Sequence, residues 1–118
     1  GSFADHKKIE TMVEKISTGK LKNRMEKGDI LLIDVLEPDT YREEHIRGAI
    51  NIPLERIASE AKERFEKDEG IVVYCSGPDC SASPDAAKKL DEMGFENVYH
   101  YEGGKKKWKE AGYPMESD

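Results

Sequence analysis

Short apolar blocks alternate along the chain with longer segments in which apolar and charged residues recur at helical spacing. Two continuous apolar runs, Ile30–Val35 and Ile71–Tyr74, predict strands covered on both faces, as in parallel sheets. Shorter strands are predicted at Gly48–Pro53 and Asn97–Tyr101. Helices are predicted at Pro38–His45, Leu54–Phe65 and Ser83–Met93, and from Gly103-Gly104 through Trp108. Strands that alternate with helices predict an α/β domain with a mainly parallel sheet.

The N-terminal segment, residues 3–28, predicts one or two amphipathic helices before the first strand. Thr18-Gly19 interrupts the pattern, and a second helical turn is expected to end at Gly28. Gly1-Ser2 resembles a cloning scar. The apolar face of the first helix is predicted to consist of Ile9, Met12, Val13 and Ile16.

The length, charge and cysteine content of the chain exclude several classes of protein and agree with the predicted α/β fold. The chain of 118 residues has the length of one domain, 1–118, and can bury a core without disulfides or metals. Its net charge of −6 disfavours binding to nucleic acid or anionic membranes, because both need basic patches. No apolar run approaches the ~20 residues of a membrane span. The two cysteines share one short loop, which is untypical of secreted disulfide frameworks, so we expect a reduced, cytoplasmic setting.

Cys75 is the strongest candidate for chemistry, because it directly follows the second buried strand. Ligands of α/β proteins bind beyond the carboxyl ends of the strands. Ser83-Pro84-Asp85 predicts a helix start, with serine as the N-cap and proline at the first helical position. Loop N–H groups and a helix N-terminus favour thiolates, with pKa values of ~3.5–7.5. The alternative is an inert cysteine buried at a strand end. Small residues let the backbone curl around the sulfur: Ser76, Gly77, Ser81, Ala82 and Ser83.

Several sequence blocks run in a characteristic order from Ile30 to Pro114. They are Leu32-Ile33-Asp34-Val35, residues 41–53, Val72-Val73-Tyr74-Cys75, residues 94–99, Gly103-Gly104 and Trp108. In these blocks the chain resembles the single-domain rhodanese-like sulfurtransferases. The resemblance implies a small parallel sheet with helices on both faces, in one domain spanning 1–118. It also implies a loop cysteine that attacks a sulfur donor and forms a persulfide, without a cofactor.

The resemblance assigns roles to residues by position, with Cys75 as the catalytic cysteine. The function it implies is a sulfurtransferase or sulfur carrier. Such a protein takes sulfane sulfur from a small donor or a persulfide-bearing protein and passes it to a thiol or cyanide. The alternative is a non-catalytic rhodanese-like module that binds or regulates a partner. The implied substrate-binding residues are Ser76, Gly77, Pro78, Asp79, Cys80, Ser81, Ala82 and Ser83.

Two departures from the family pattern bear on the substrate. Leu36 stands where an arginine is frequent, and Ala82 stands where the loop often ends in a basic residue. The loop is slightly longer than its common form, lacks a cation and contains Asp79, which opposes a dianion. We therefore expect thiosulfate to be a poor donor and favour polysulfide or a protein persulfide. A phosphatase of this fold would need an arginine clamp, and no arginine follows Arg64.

Cys80 permits two interpretations. A curled loop can bring its sulfur to Cys75, so that Cys80 resolves a persulfide or sulfenate into a disulfide. Alternatively, Cys80 is a loop thiol that points elsewhere, which we favour from the sequence alone. Two cysteines and three scattered histidines form no recognisable zinc pattern, so no metal site is expected.

Other polar and aromatic residues predict structural roles. Asp34, at a strand end, is expected to accept backbone N–H bonds from the neighbouring loop, and His45 to brace the turn that follows it. His100 is expected to face away from the tyrosines on either side of it, because side chains alternate along a strand. Trp108 is expected to anchor the core.

Overall fold

The centre of the structure is a parallel sheet of five short strands. The structure is a computed structural model that describes residues 13–118. The strands in chain order are β1 (Glu14–Lys15), β2 (Leu31–Asp34), β3 (His45–Ile46), β4 (Ile50–Asn51), β5 (Gly70–Tyr74), β6 (Asn97–His100) and β7 (Met115–Glu116). The sheet order is β1-β6-β5-β2-β4, and each neighbouring pair is parallel. The strands β3 and β7 form a separate antiparallel pair.

Helices cover both faces of this sheet, which confirms the predicted α/β architecture. They are α1 (Thr18–Lys27), α2 (Pro38–Glu43), α3 (Ile57–Arg64) after a 3₁₀ turn at Leu54–Arg56, α4 (Ala82–Glu92) and α5 (Gly104–Glu110). Within residues 13–118, no helix is long and apolar enough to cross a membrane.

Alternation along the two central strands divides the core in two. One face presents Ile33, Ile71 and Val73, which cluster with apolar residues of α3 and α4. The other face presents Leu32, Val72 and Tyr74, which cluster with Leu21 of α1 and Trp108 of α5. Strands covered on both faces read as continuous apolar runs, which is why β2 and β5 are visible in the sequence.

The N-terminal prediction is wrong where the structure tests it. Instead of a helix through Val13 and Ile16, residues Glu14–Lys15 form β1, which pairs with β6. The Ile16 N–H extends this pairing by donating to the His100 carbonyl (3.2 Å). Ser17 then caps α1, because its side chain accepts the Lys20 N–H, so the helix begins at Thr18 and is not interrupted there. The predicted helical residues Ile9 and Met12 lie outside the described residues.

The other predicted elements are confirmed in type, with closer bounds. The helix α1 ends at Gly28 as predicted, and the positive φ of 73° at Gly28 lets its N–H reach the carbonyls of Arg24 and Met25. The strand predicted at Gly48–Pro53 is reduced to β4, which meets β2 over only two residue pairs. The helix α2 ends at Glu43 because the next residues leave it to pair with β7.

A buried hydrogen-bond network joins the carboxyl end of β2 to its surroundings. The fully buried Asp34 accepts the Leu36 N–H (2.9 Å) and the Tyr74 hydroxyl (2.9 Å). Tyr74 Oη in turn accepts the Ile46 N–H (3.0 Å). Burial raises the pKa of the Asp34 carboxyl, while these hydrogen bonds oppose the rise, and burial also raises the pKa of Tyr74. The prediction that Asp34 holds the following loop is confirmed.

Two further structural predictions have different outcomes. His45 bonds back to α2 rather than to the turn that follows it, because its Nδ1 lies 2.7 Å from the Tyr41 carbonyl oxygen and the two rings stack. The prediction for Trp108 is confirmed. Trp108 is buried and donates its indole N–H to the Pro114 carbonyl (2.9 Å), which ties the end of the chain to α5.

The Tyr74→Phe substitution is predicted to lower the free energy of unfolding by about 1–3 kcal/mol, because it leaves Asp34 Oδ2 and the Ile46 N–H buried without this partner. Tyr99→Phe is the matched control, because the half-buried Tyr99 hydroxyl bonds to no described residue. Urea unfolding measures both variants. Equal stability of Tyr74→Phe and Tyr99→Phe would show that the network contributes nothing.

Candidate active site

Cys75 lies at the carboxyl end of β5, the central strand of the sheet. Its side chain is 1% exposed and continues the face formed by Ile71 and Val73, so it is directed to the α4 side of the sheet. The structure therefore places the predicted cysteine where α/β proteins bind their ligands.

The backbone after Cys75 is held by the first turn of α5. The N–H groups of Lys105 and Lys106 donate to the carbonyls of Cys75 (3.1 Å) and Ser76 (3.0 Å). Gly104 makes this approach possible: a Cβ there would lie 2.5 Å from the Cys75 carbonyl oxygen and 2.8 Å from the Gly77 nitrogen. The φ of +62° at Gly104 is a second reason for glycine at this position.

Cys75 and Cys80 form a disulfide. The interpretation that Cys80 points away from Cys75 is therefore wrong. The loop curls because the Cys80 N–H donates to the Gly77 carbonyl (3.1 Å), a turn that carries Cys80 back toward the strand end. Cys80 remains partly exposed, whereas Cys75 is buried.

The predicted cradle residues differ in their exposure. Among the described residues, the Cys80 N–H is the one amide of residues 76–83 that donates to another protein group. Gly77, Cys80 and Ala82 are half-buried, and Ser83 is buried. The residues exposed to solvent are Ser76, Pro78, Asp79 and Ser81.

The predicted start of α4 needs a correction. The helix begins at Ala82, with Ser81 at the N-cap position and without a side-chain cap bond, so Ser83 is not the N-cap. Pro84 occupies the first turn, where a missing N–H has no cost. Ser83 is 1% exposed, and its hydroxyl is directed to the site, where Oγ lies 3.1 Å from Cys75 Sγ.

His100 is the site residue that the sequence analysis missed. Its Nε2 lies 2.9 Å from Ser83 Oγ. Its side chain lies on the sheet face opposite to Tyr99 and Tyr101, as the alternation along the strand predicts. Burial lowers the pKa of His100, Lys15 lowers it further, and Glu102 opposes both. The signal available in the sequence was its orientation, because His100 and Cys75 continue neighbouring parallel strands on one face.

The structure places a positive charge beside the loop that the loop's own sequence does not contain. The loop itself lacks a cation, but the Lys106 side chain packs beside it: a Cβ on Gly77 would meet Lys106 Cβ at 3.5 Å. Lys106 is exposed and comes from α5, far from the loop in sequence. Within residues 13–118, no three His, Cys, Asp or Glu side chains are grouped as a metal site would require.

The Gly104→Ala substitution is predicted to destabilise the fold by about 1–3 kcal/mol more than Gly112→Ala, because only the former drives a methyl group into the Cys75 loop. Gly112 is the matched control: its φ is +79°, and a Cβ there meets nothing within 4 Å. Urea unfolding compares the two variants. Equal losses of stability in the two variants would mean that only the strained backbone conformation of glycine is lost, and that the Cys75 loop is loosely held against α5.

Comparison with known proteins places this chain in a family. The rhodanese-like domain family matches residues 17–111. The chain is 35% identical over 98 residues to the thiosulfate sulfurtransferase GlpE of Coxiella burnetii, covering 83% of this chain and 89% of that protein. It is 37% identical over 101 residues to the HTH-type transcriptional regulator Rv0324 of Mycobacterium tuberculosis, covering 86% of this chain but only 44% of the regulator.

A solved structure agrees with these sequence matches. The BH2092 protein of Bacillus halodurans superimposes with a TM-score of 0.82 at 30% identity, over 90% of this chain and 78% of that one. Sequence and fold therefore give the same result: the chain belongs to the rhodanese-like domain family, which includes sulfurtransferases such as GlpE.

Proposed function

We propose that this protein is a sulfurtransferase or sulfur carrier in which Cys75 holds sulfane sulfur as a persulfide. The observation that carries the proposal is the surroundings of Cys75 Sγ: a hydroxyl oxygen at 3.1 Å and a second cysteine bonded to it, at the carboxyl end of a central strand. A cysteine that serves packing alone requires neither neighbour. The relationship to GlpE supports the reaction class.

Both transfer steps are exchanges at sulfur. In loading, the Cys75 thiolate attacks the outer sulfur of a donor; an S–S bond to Cys75 forms, the donor's S–S bond breaks, and the donor leaves with the electron pair. In unloading, a thiolate or cyanide attacks the outer sulfur, and the Cys75 thiolate leaves. The negative charge on sulfur would be stabilised by the Ser83 hydroxyl and by the unbonded loop amides.

Cys80 gives the persulfide a second route. Its thiolate attacks Cys75 Sγ, the disulfide forms, and hydrosulfide leaves with the electron pair. An external thiol then attacks the more exposed Cys80, which releases the Cys75 thiolate and leaves a mixed disulfide on Cys80. A second thiol attacks that mixed disulfide and frees Cys80 for another cycle. A disulfide that forms and breaks during turnover is compatible with the cytoplasmic location that we propose.

Among donors, we propose polysulfide or a protein persulfide over thiosulfate. Asp79 adds negative charge at the loop, and the Lys106 side chain, which packs beside Gly77, is exposed to solvent and therefore screened. We propose thiols or cyanide as acceptors, with no role for nucleic acid or membrane in the reaction.

The relationship to a transcriptional regulator favours a second candidate, a non-catalytic module that regulates a partner. The aligned region is less than half of that regulator, so a rhodanese-like domain also occurs as part of a larger protein. In this second function the Cys75–Cys80 pair would report the presence of sulfane sulfur without turnover.

Sulfur loading separates these candidates by mass. After reduction and removal of the reductant, an inorganic polysulfide should add one sulfur atom to Cys80→Ala and none to Cys75→Ala, as measured by intact mass spectrometry. The wild type should release hydrosulfide and become a disulfide, because Cys80 is present. A sulfur adduct on Cys75→Ala equal to that on Cys80→Ala would overturn the assignment, and loading without turnover with cyanide would favour the regulatory module.

Donor preference is tested by steady-state kinetics with cyanide as the acceptor. We expect kcat/KM for thiosulfate below ~10⁴ M⁻¹s⁻¹, the lower end of the usual enzyme range, and a higher value for polysulfide. Lys106→Gln should lower the residual thiosulfate activity, whereas the control Lys62→Gln, which removes an exposed charge on α3, should not. Thiosulfate activity at or above ~10⁴ M⁻¹s⁻¹ would contradict the proposed preference.

A further inference from the structure

A chain of polar atoms leads from Cys75 across the face of the sheet. Cys75 Sγ lies 3.1 Å from Ser83 Oγ, which lies 2.9 Å from His100 Nε2. Cys75 and Ser83 are each 1% exposed, and His100 is half-buried. Three different elements supply these groups: the end of β5, the first turn of α4 and the end of β6.

The chemistry of a Cys75 thiolate fixes the hydrogen-bond directions that this chain of atoms needs. A thiolate sulfur has no hydrogen, so a hydrogen bond between the two groups requires the Ser83 hydroxyl as the donor. Because that hydroxyl has one hydrogen, Ser83 Oγ then accepts from His100, which requires the tautomer with the proton on Nε2.

We infer that His100 is a positioning residue that, through Ser83, keeps a hydroxyl hydrogen directed at Cys75 Sγ and so stabilises the thiolate. The inference rests on the proposed function of Cys75 as a nucleophile. Apolar burial disfavours a thiolate, so a donor held in one orientation has a large effect at this site. Without the imidazole N–H, the Ser83 hydroxyl is free to rotate and donate elsewhere.

The charged groups around His100 are compatible with a neutral donor. Lys15 on the paired strand β1, Lys88 on α4 and Glu102 after β6 are its charged neighbours, and Lys15 and Glu102 form a salt bridge at 3.3 Å. On its other side, β5 presents the apolar Val73. Burial lowers the pKa of His100, which favours the uncharged ring, and the inferred hydrogen-bond direction places its proton on Nε2.

The experiment measures the apparent pKa of the Cys75 thiol from the pH dependence of alkylation by iodoacetamide. All variants are made in a Cys80→Ala background, so Cys75 is the one thiol of the chain. Ser83→Ala and His100→Leu should each raise this pKa by about one unit, which slows alkylation about tenfold below the pKa. His100→Gln, which keeps an N–H donor, should restore most of the rate.

The double variant provides the sharpest result. If His100 acts through Ser83, then Ser83→Ala with His100→Leu should match Ser83→Ala alone. Additive shifts, or no shift in His100→Leu, would overturn the inference. If His100→Leu does not fold, as judged by circular dichroism, His100→Ala replaces it in the same cycle. Alkylation needs no sulfur donor, so this test can succeed or fail independently of the proposed sulfur transfer.

Discussion

Two backbone hydrogen bonds tie the loop after Cys75 to the first turn of α5, from Lys105 N–H to the Cys75 carbonyl and from Lys106 N–H to the Ser76 carbonyl. They require α5 to approach more closely than any side chain at Gly104 would permit. Because these bonds involve main-chain atoms, they hold the sulfur in place whatever side chains the loop carries. The position of Cys75 Sγ relative to Ser83 and Cys80 depends on them.

This fixed backbone allows the site to combine two opposed requirements. Cys75 belongs to the apolar core cluster, which would shield the proposed persulfide from water, yet a thiolate or persulfide anion needs hydrogen-bond donors. The first turn of α4 meets the second requirement by turning Ser83 inward, where its hydroxyl joins Cys75 Sγ to His100. The exposed side of the loop, with Asp79 and Lys106 beside it, faces solvent, from which the proposed donor would approach.

The parts of the fold that could be predicted are those in which local pattern and tertiary environment agree. The apolar runs at Ile30–Val35 and Ile71–Tyr74 become β2 and β5, and the topology of parallel sheets then places Cys75 at a ligand-binding edge. The segment at Val13 and Ile16 has a spacing that suits a helix, but pairing with the edge of β6 satisfies its backbone as a strand. The strand forms because it pairs with β6, which is distant in the sequence, so a short stretch of sequence does not reveal it.

The rest of the site depends on contacts that no local pattern reports. His100 lies 17 residues from Ser83, and the two meet only because α4 packs across β6. The sequence of the loop gives no sign of Lys106, because this residue belongs to α5 and its side chain packs against the loop only in the folded protein. Serine is a residue type that favours the N-cap, which is why Ser83 was predicted there. Because the helix begins earlier, at Ala82, Ser83 lies inside its first turn, and its hydroxyl is directed to Cys75.

The central claim is that Cys75, rather than Cys80, carries the sulfur. Its most direct test is tandem mass spectrometry of the peptide that contains both cysteines, after brief polysulfide loading of the reduced protein and trapping with iodoacetamide before Cys80 displaces the added sulfur. Fragment ions that divide the peptide between Cys75 and Cys80 locate the added sulfur atom. Our account predicts that it lies on Cys75, and an additional sulfur found on Cys80 alone would contradict it.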